Sequence, residues 1–255
     1  MSAIHWFMFL SIGGGCLLMI MWKNAFRNHV NKHTFGLSHF PKERESLSIF
    51  FISDIHRRVI HSSMIKQAKE AEVVIIGGDL TERGVPLTRT RHNLRLLKKI
   101  GPVFFVWGNN DYEVGEQHLK QLLEEEGVMI LDQDIYTYQS FTSTNIRLIG
   151  VNYFRTSRNQ LEPLFQQLNP QDVNILISHH PRVIRQLKKA DHIDLVLSGH
   201  THGGQIRVFG LGYFEKGGVQ TGPITTILTS NGYGTTGVPL RLGAPAEAHL
   251  IRLGN

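Results

Sequence analysis

DLVLSGHTHGGQ, residues 194–205, joins a short leucine- and valine-rich run to a glycine, two histidines at i and i+2, and a pair of glycines. The apolar run is too short for a helix and ends at glycine, so it reads as a buried strand. Its carboxyl end carries His200 and His202, side chains that bind divalent cations as neutral imidazoles.

The same construction recurs upstream. LSIFFIS (47–53) runs into Asp54 and His56, VVIIGG (73–78) into Asp79, VFFVWG (103–108) into Asn109, and NILIS (174–178) into His179. IRLIGV (146–151) is a sixth run without such an ending. Helical spacing fills 63–72, 89–100, 116–127, 160–168 and 182–190, and strands alternating with helices imply α/β layers. In such a sheet the carboxyl ends of the strands line one crevice, so seven potential ligands converge on one edge. The i, i+2 spacing of Asp54 with His56, and of His200 with His202, puts each pair on one side of an extended backbone. Taken singly, a strand-end Asp or His is an ordinary cap; it is the recurrence that carries the reading. A mixed Asp, Asn and His set suits Mn²⁺, Fe²⁺ or Zn²⁺. Seven ligands exceed one tetrahedral zinc but serve two metals if a carboxylate bridges, and Asp79 lies at the middle of the set. After Gly203 the texture changes to glycine-punctuated QIRVFG, ITTILTS and AHLIRL, which suggests a second sheet within the same domain.

Taken together, D-x-H (Asp54, His56), G-G-D (ending at Asp79), G-N (Asn109), S-H (His179) and G-H-T-H-G-G-Q (199–205) resemble the calcineurin-like metallophosphoesterases. The tail TSNGYGTTGVPLRLGAPAEAHLIRL is similar to a membrane-tethered bacterial branch that includes UDP-2,3-diacylglucosamine pyrophosphatase-type enzymes. The resemblance covers 47–255 and implies a four-layer αββα sandwich. It implies one metal on Asp54, His56, Asp79 and His202, and a second on Asp79, Asn109, His179 and His200. A hydroxide bridging the two would attack phosphorus in line, with manganese the favoured ion in vitro and Zn or Fe the alternatives. The chain departs from the family at G-N-H-[DE], which here reads Gly108-Asn109-Asn110-Asp111. Asn110 can donate a hydrogen bond to a phosphoryl oxygen, but its amide does not titrate, so it cannot act as the general acid. That loss biases the chemistry toward good leaving groups, phosphoanhydrides or aryl esters. Asn110 and Asp79 are therefore the expected catalytic residues. His180, His61 or a metal-bound water are candidate substitutes for the acid, and Tyr153, Arg155 and Arg158 are candidate substrate contacts.

The 255 residues include 41% hydrophobic and 19% charged residues, enough apolar content for a sizeable core. One cysteine excludes an intrachain disulfide framework and a cysteine-rich zinc module. Residues 1–22 contain an apolar run about 20 residues long, one hydrocarbon thickness as a helix. With no basic region before it and no A-x-A site after it, an uncleaved anchor fits better than a signal peptide. Lys23, Arg27 and Lys32 follow the run, which places the catalytic domain in the cytoplasm by the positive-inside rule. Residues 23–46 then read as a basic juxtamembrane linker, and 47–255 as the phosphoesterase domain. The formal charge of +6 favours anionic partners, here a phosphorylated small molecule or a lipid-linked phosphate. The basic stretch 89–99 is better explained as a solvated helix face than as a nucleic-acid interface. Two alternatives stay open: a catalytically weak, metal-binding regulatory module, and a nuclease. The oligomeric state is not legible.

Overall fold

The computed structural model describes residues 3–141 and 144–255; Met1 and Ser2, at the start of the expected anchor, lie outside the described residues. Helix α1 (Ala3–Ala25) leads into β1 (Val30–Gly36) and β2 (Ser46–Ile52), then α2 (Ser62–Gln67), β3 (Val73–Ile76), α3 (Leu87–Leu97), β4 (Val103–Phe105), α4 (Glu116–Glu125) and β5 (Met129–Ile130). There follow β6 (Asp134–Ser140), β7 (Asn145–Val151), α5 (Arg158–Phe165), β8 (Val173–Ser178), β9 (Leu195–Ser198), β10 (Gly218–Thr221), β11 (Thr226–Thr229) and β12 (Ala248–Gly254). The strands form two six-stranded sheets, ordered β1-β12-β2-β3-β4-β5 and β10-β11-β9-β8-β7-β6.

Alternation along the strands explains the layering. In β2, Ile49 and Phe51 join a core that also holds Val73, Ile75, Leu148, Ile175 and Leu197 from both sheets. Their neighbours Phe50 and Ile52 turn the other way, onto Met64 of α2, Leu94 of α3 and Leu119 of α4. In the second sheet, Ile149, Leu176 and Val196 face Leu161, Leu164 and Phe165 on and beside α5. Strands buried on both faces carry continuous apolar runs, which is why 47–53 and 73–78 show no polar alternation. Helices, sheet, sheet and helices make the four-layer αββα sandwich.

Three expectations need correction. Residues 23–46 are not a free linker: β1 pairs in parallel with β12 from Val30 opposite Ala248 to Gly36 opposite Gly254. The edge strand VNKHTFG escaped notice because its half-buried positions are Asn31, His33 and Phe35, two of them polar. Their partners, Glu247 and His249, lie 216 residues along the chain. The second sheet does not begin after Gly203: it already holds β6 to β9, the later segment adds β10 and β11 (within ITTILTS), and AHLIRL is β12, in the first sheet beside β2. QIRVFG joins neither sheet and makes isolated bridges. Finally, 182–190 is two short 3₁₀ turns, Pro181–Gln186 and Lys189–Asp191, because Pro181 and the extended Leu187 interrupt it.

Helix α1 is long and apolar enough to cross a bilayer, and its side chains are almost entirely exposed. Its end is fastened to the sandwich. The Arg241 amide donates to Met21 O at 3.0 Å and the Ala246 amide to Asn24 O at 3.0 Å. The Arg58 guanidinium donates to the carbonyls of Ala25, Phe26 and Arg27 and stacks 3.6 Å from the Tyr233 ring centroid. A cation on the orphan carbonyls of a last helical turn is a favourable C-terminal cap.

Candidate metal centre

The segments after β2, β3, β4, β8 and β9 meet at one edge, where the two sheets adjoin. The Asp54 amide donates to Gly78 O at 3.0 Å and the Gly199 amide to His179 O at 3.0 Å, tying the segments pairwise. Glycine is required where they touch: a Cβ on Gly78, which has φ +84°, would lie 2.6 Å from His179 Nδ1 and 2.8 Å from Gly108 N.

Six of the seven sequence-derived candidates gather here in two groups, and Asn109 lines the cleft beside them. Asp54, His56 and His202 form one; Asp79, His179 and His200 form the other, each with ligand atoms mutually within 4.8 Å. Within the first, His56 Nε2 is 3.1 Å from His202 Nε2, and His202 Nε2 is 3.4 Å from Asp54 Oδ1. Within the second, His200 Nδ1 is 3.2 Å from His179 Nε2. Asp79 Oδ2 stands between them, 3.2 Å from His179 Nε2 and 3.8 Å from His56 Nε2. Asn109 lines the adjoining 310 Å³ cleft together with Asp79, Asn110, His200 and His202.

The backbone differs from the extended geometry expected of the i, i+2 pairs. Asp54 (φ 53°), His56 (50°), Asp79 (51°), His200 (71°) and His202 (49°) all occupy the left-handed region. That conformation costs a non-glycine residue about 1–2 kcal/mol. Such strain gathers where function fixes the side chain direction.

Several orienting residues were not singled out from the sequence. Glu82 Oε2 lies 2.9 Å from His56 Nδ1, while His179 Nδ1 lies 2.8 Å from Gly77 O, so in each imidazole the distal nitrogen is turned to the centre. Asp111 accepts the amides of Asp79 (2.8 Å), Gly108 (2.9 Å) and Thr81 (3.1 Å), locking the β3 and β4 loops together. Arg241, fully buried, donates to five carbonyls, including His202 O at 3.2 Å, and lies 3.0 Å from His202 Nδ1. Asp111 had a signal, the acidic position closing G-N-x-D; Glu82 and Arg241 had none in local spacing.

The electrostatics call for a cation. Burial by itself would raise the Asp79 carboxyl, but His179, His56 and the Asn110 amide hold it well below the usual range. Burial opposes the charged form of His179 as well, yet the Asp79 and Asp54 carboxylates push it up to about 10. Burial and the Asp79 charge push Asp111 up to about 7. Burial pushes His202 down to about 3, leaving a neutral imidazole. Asn109 Oδ1 is buried without a hydrogen-bond partner. An orphaned amide oxygen beside two carboxylates and four imidazoles fits a divalent cation pair. Because His179 is protonated between pH 7 and 9, metal loading of the apoprotein should release about one proton or more. Calorimetry in buffers of different ionisation enthalpy measures this; a binding heat independent of buffer would contradict it.

The remaining candidates divide. The Asn110 amide donates to Asp79 Oδ1 at 2.8 Å; its side chain accepts from Asn109 Nδ2 at 2.8 Å and donates to Glu113 at 3.1 Å. Tyr153 packs with its ring 5.8 Å from His179 and 5.5 Å from His200. His180 lies 4.3 Å from the His200 ring and accepts the Arg182 amide on Nδ1. Burial and the neighbouring His200 push it down to about 4. His61 caps α2 and lines a different cavity. Arg158 is not at the site: it pairs with Asp191 at 2.5 and 2.8 Å and with Glu162, a structural commitment that sequence spacing could not reveal. Arg155 is exposed and lines neither the cleft nor the cavity beside it. On the basic helix α3, Arg91, Arg95 and Lys98 converge on Glu126.

A sandwich with two ligand groups around one carboxylate defines a metal-dependent phosphoesterase. Residues 47–204 match the calcineurin-like phosphoesterase family, and the chain belongs to it. It is 41% identical to the uncharacterized protein YpbG of Bacillus subtilis, over 96% of this chain and 95% of that one. It is 28% identical to a Bos taurus transmembrane protein with metallophosphoesterase domain, over 81% of this chain and 53% of that one. The fold is shared with the NAD nucleotidase of Haemophilus influenzae, with a TM-score of 0.51 and 15% identity over 74% of this chain and 50% of that one. The enzymes of this family use a binuclear divalent centre.

Proposed function

We propose that the chain is a two-metal phosphohydrolase, anchored by α1, that acts on phosphoanhydrides or esters with good leaving groups. The observation that carries the reading is the position of Asp79 Oδ2 between the two ligand groups. Asp54, His56, Asp79 and His202 would hold one ion, and Asp79, Asn109, His179 and His200 the other. Divalent ions held there, manganese being the favoured pair, would supply Lewis acidity toward water and positive charge toward the phosphoryl oxygens. The protein's own share is orientation. Glu82 and Gly77 aim two imidazoles, and Asp111 sets the loops. Asn110 takes the Asn109 Nδ2 hydrogen bond and so leaves Asn109 Oδ1, buried and unpartnered, as the amide's free acceptor. Asn110 is thus a positioning residue as well as a potential donor to a phosphoryl oxygen.

Beside the cleft, a second 310 Å³ cavity shares Thr201, Tyr213 and Phe214 with it and is lined by Arg182, Arg185 and Lys216. This supports an anionic or aromatic group on the leaving side, in keeping with an anhydride substrate. The cytoplasmic orientation rests on Lys23 and Arg27 following the apolar helix. The relative named as a transmembrane protein supports the anchor.

The test is metal analysis of the full chain with turnover on an anhydride, an aryl ester and an alkyl ester. Two bound ions with preference for the first two substrates is the expected result. Two ions without turnover on any of them would favour the regulatory module instead. Asn110→Ala should weaken the Asn109-containing site by about 10- to 100-fold, the range of lost orienting partners. Asn110→His should raise turnover on alkyl esters by more than on aryl esters, within the ~10²–10⁴-fold range of general-acid catalysis. Unchanged ratios would refute the leaving-group argument.

A further inference from the structure

Residues 206–213 form a tight hairpin between the metal-binding loop and the cleft wall. Val208 and Leu211 exchange amide-to-carbonyl bonds of 2.9 Å each, so Phe209 and Gly210 are a two-residue loop, at φ 50° and 82°. Positive φ at both loop positions is the type I′ arrangement, which favours Asn-Gly; an aromatic first residue is strained there. Phe209 is also 100% exposed, with Leu211 at 78% and Tyr213 at 90%. The hairpin is held rather than loose, because the Arg207 guanidinium donates to Gly203 O, Gly210 O and Phe214 O. A strained aromatic on a braced hairpin, fully exposed among the described residues, implies an apolar partner outside the molecule.

The connectivity says which one. The Arg207 amide donates to Leu242 O at 2.8 Å, and the next residue back, Arg241, donates its amide to Met21 O of α1. The hairpin root and the end of the bilayer-length helix therefore hang from adjacent residues of one segment. Exposed Lys23, Arg27 and Lys216 flank the two features, as suits anionic headgroups. At its other end the hairpin leads to Phe214, whose ring is 6.2 Å from that of His200. The geometry points to a second membrane contact: the hairpin inserts Phe209 and Leu211 into the anionic bilayer that α1 crosses, and holds the cleft at headgroup level. This rests on α1 as an anchor, and the experiment separates the two.

The full chain is reconstituted into phosphatidylcholine–phosphatidylglycerol vesicles with an environment-sensitive fluorophore on Cys16, the native cysteine within α1. A second preparation carries the fluorophore at position 211, in Cys16→Ser with Leu211→Cys. Both probes should emit blue-shifted light and lose most of it to nitroxide-labelled lipid. A quenched probe at 16 with a probe at 211 open to aqueous iodide would overturn the hairpin contact and leave the anchor standing. A lipid-quenched probe at 211 with an aqueous probe at 16 would do the reverse. Protection of 211 that appears only as protein density in the vesicle rises would identify a second copy, not lipid, and overturn the proposal. Phe209→Asn supplies the residue the turn favours, so it should fold at least as well. It should lower turnover on vesicle-borne phosphate relative to soluble aryl phosphate; an unchanged ratio also counts against the contact.

Discussion

Asp79→Ala should empty both ligand groups and lower turnover by about 10³-fold or more, since the proposed centre has this residue serve both ions rather than one. The Asp79 carboxylate faces His179 and His56 with one oxygen and takes the Asn110 amide with the other. Asp54 sits in the other ligand group, and two further carboxylates are committed elsewhere, Glu82 to His56 and Arg57, and Asp111 to three amides. The fold should survive, because Asp111 holds the residue-79 amide whatever side chain it carries. Elemental analysis, steady-state turnover and circular dichroism together check this. A variant that keeps one tightly bound ion and a tenth of its activity would show that Asp79 does not bridge.

Arg241→Met should have the largest effect on stability. The guanidinium is buried and satisfies the carbonyls of His202, Asn231, Gly232, Gly234 and Ala244. Methionine has similar length and no donor. The carbonyls of His202 and Gly232 keep the amides of Gln205 and Glu247, but those of Asn231, Gly234 and Ala244 would lose their donor. At about 1 kcal/mol or more each, three buried carbonyls cost roughly 3 kcal/mol, a substantial share of the ~5–15 kcal/mol that holds a domain folded. Arg241→Lys, with three donors and no fork, should recover part of the loss. Denaturant titration reads both variants, and a loss below about 1 kcal/mol for methionine would mean that water replaces the guanidinium freely. Since the Arg241 guanidinium also meets His202 at its carbonyl and Nδ1, the methionine variant should weaken the proposed metal centre as well as the fold.

The strands were legible because burial on both faces writes an uninterrupted apolar run into a single stretch of chain, as in 47–53 or 174–178. The candidate ligands were legible because most of them follow such a run directly. What escaped were features whose partners lie far along the chain. β1 is polar at Asn31 and His33 because Glu247 and His249 receive them. Arg158 faces Asp191 across 33 residues, and Arg241 reaches His202 across 39. Chain order also misled, since β12 returns to the first sheet after β6 to β11 have built the second.

The sequence by itself determined the α/β class, the candidate ligands that gather at one edge, and the Asn110 that stands where the family pattern has histidine, all properties of short stretches read in order. Tertiary structure decided how six of these divide about Asp79, which carboxylate orients which imidazole, and that α1 is fastened to the sandwich. Those depend on left-handed turns and on contacts between residues remote in the chain, and local periodicity carries no record of either.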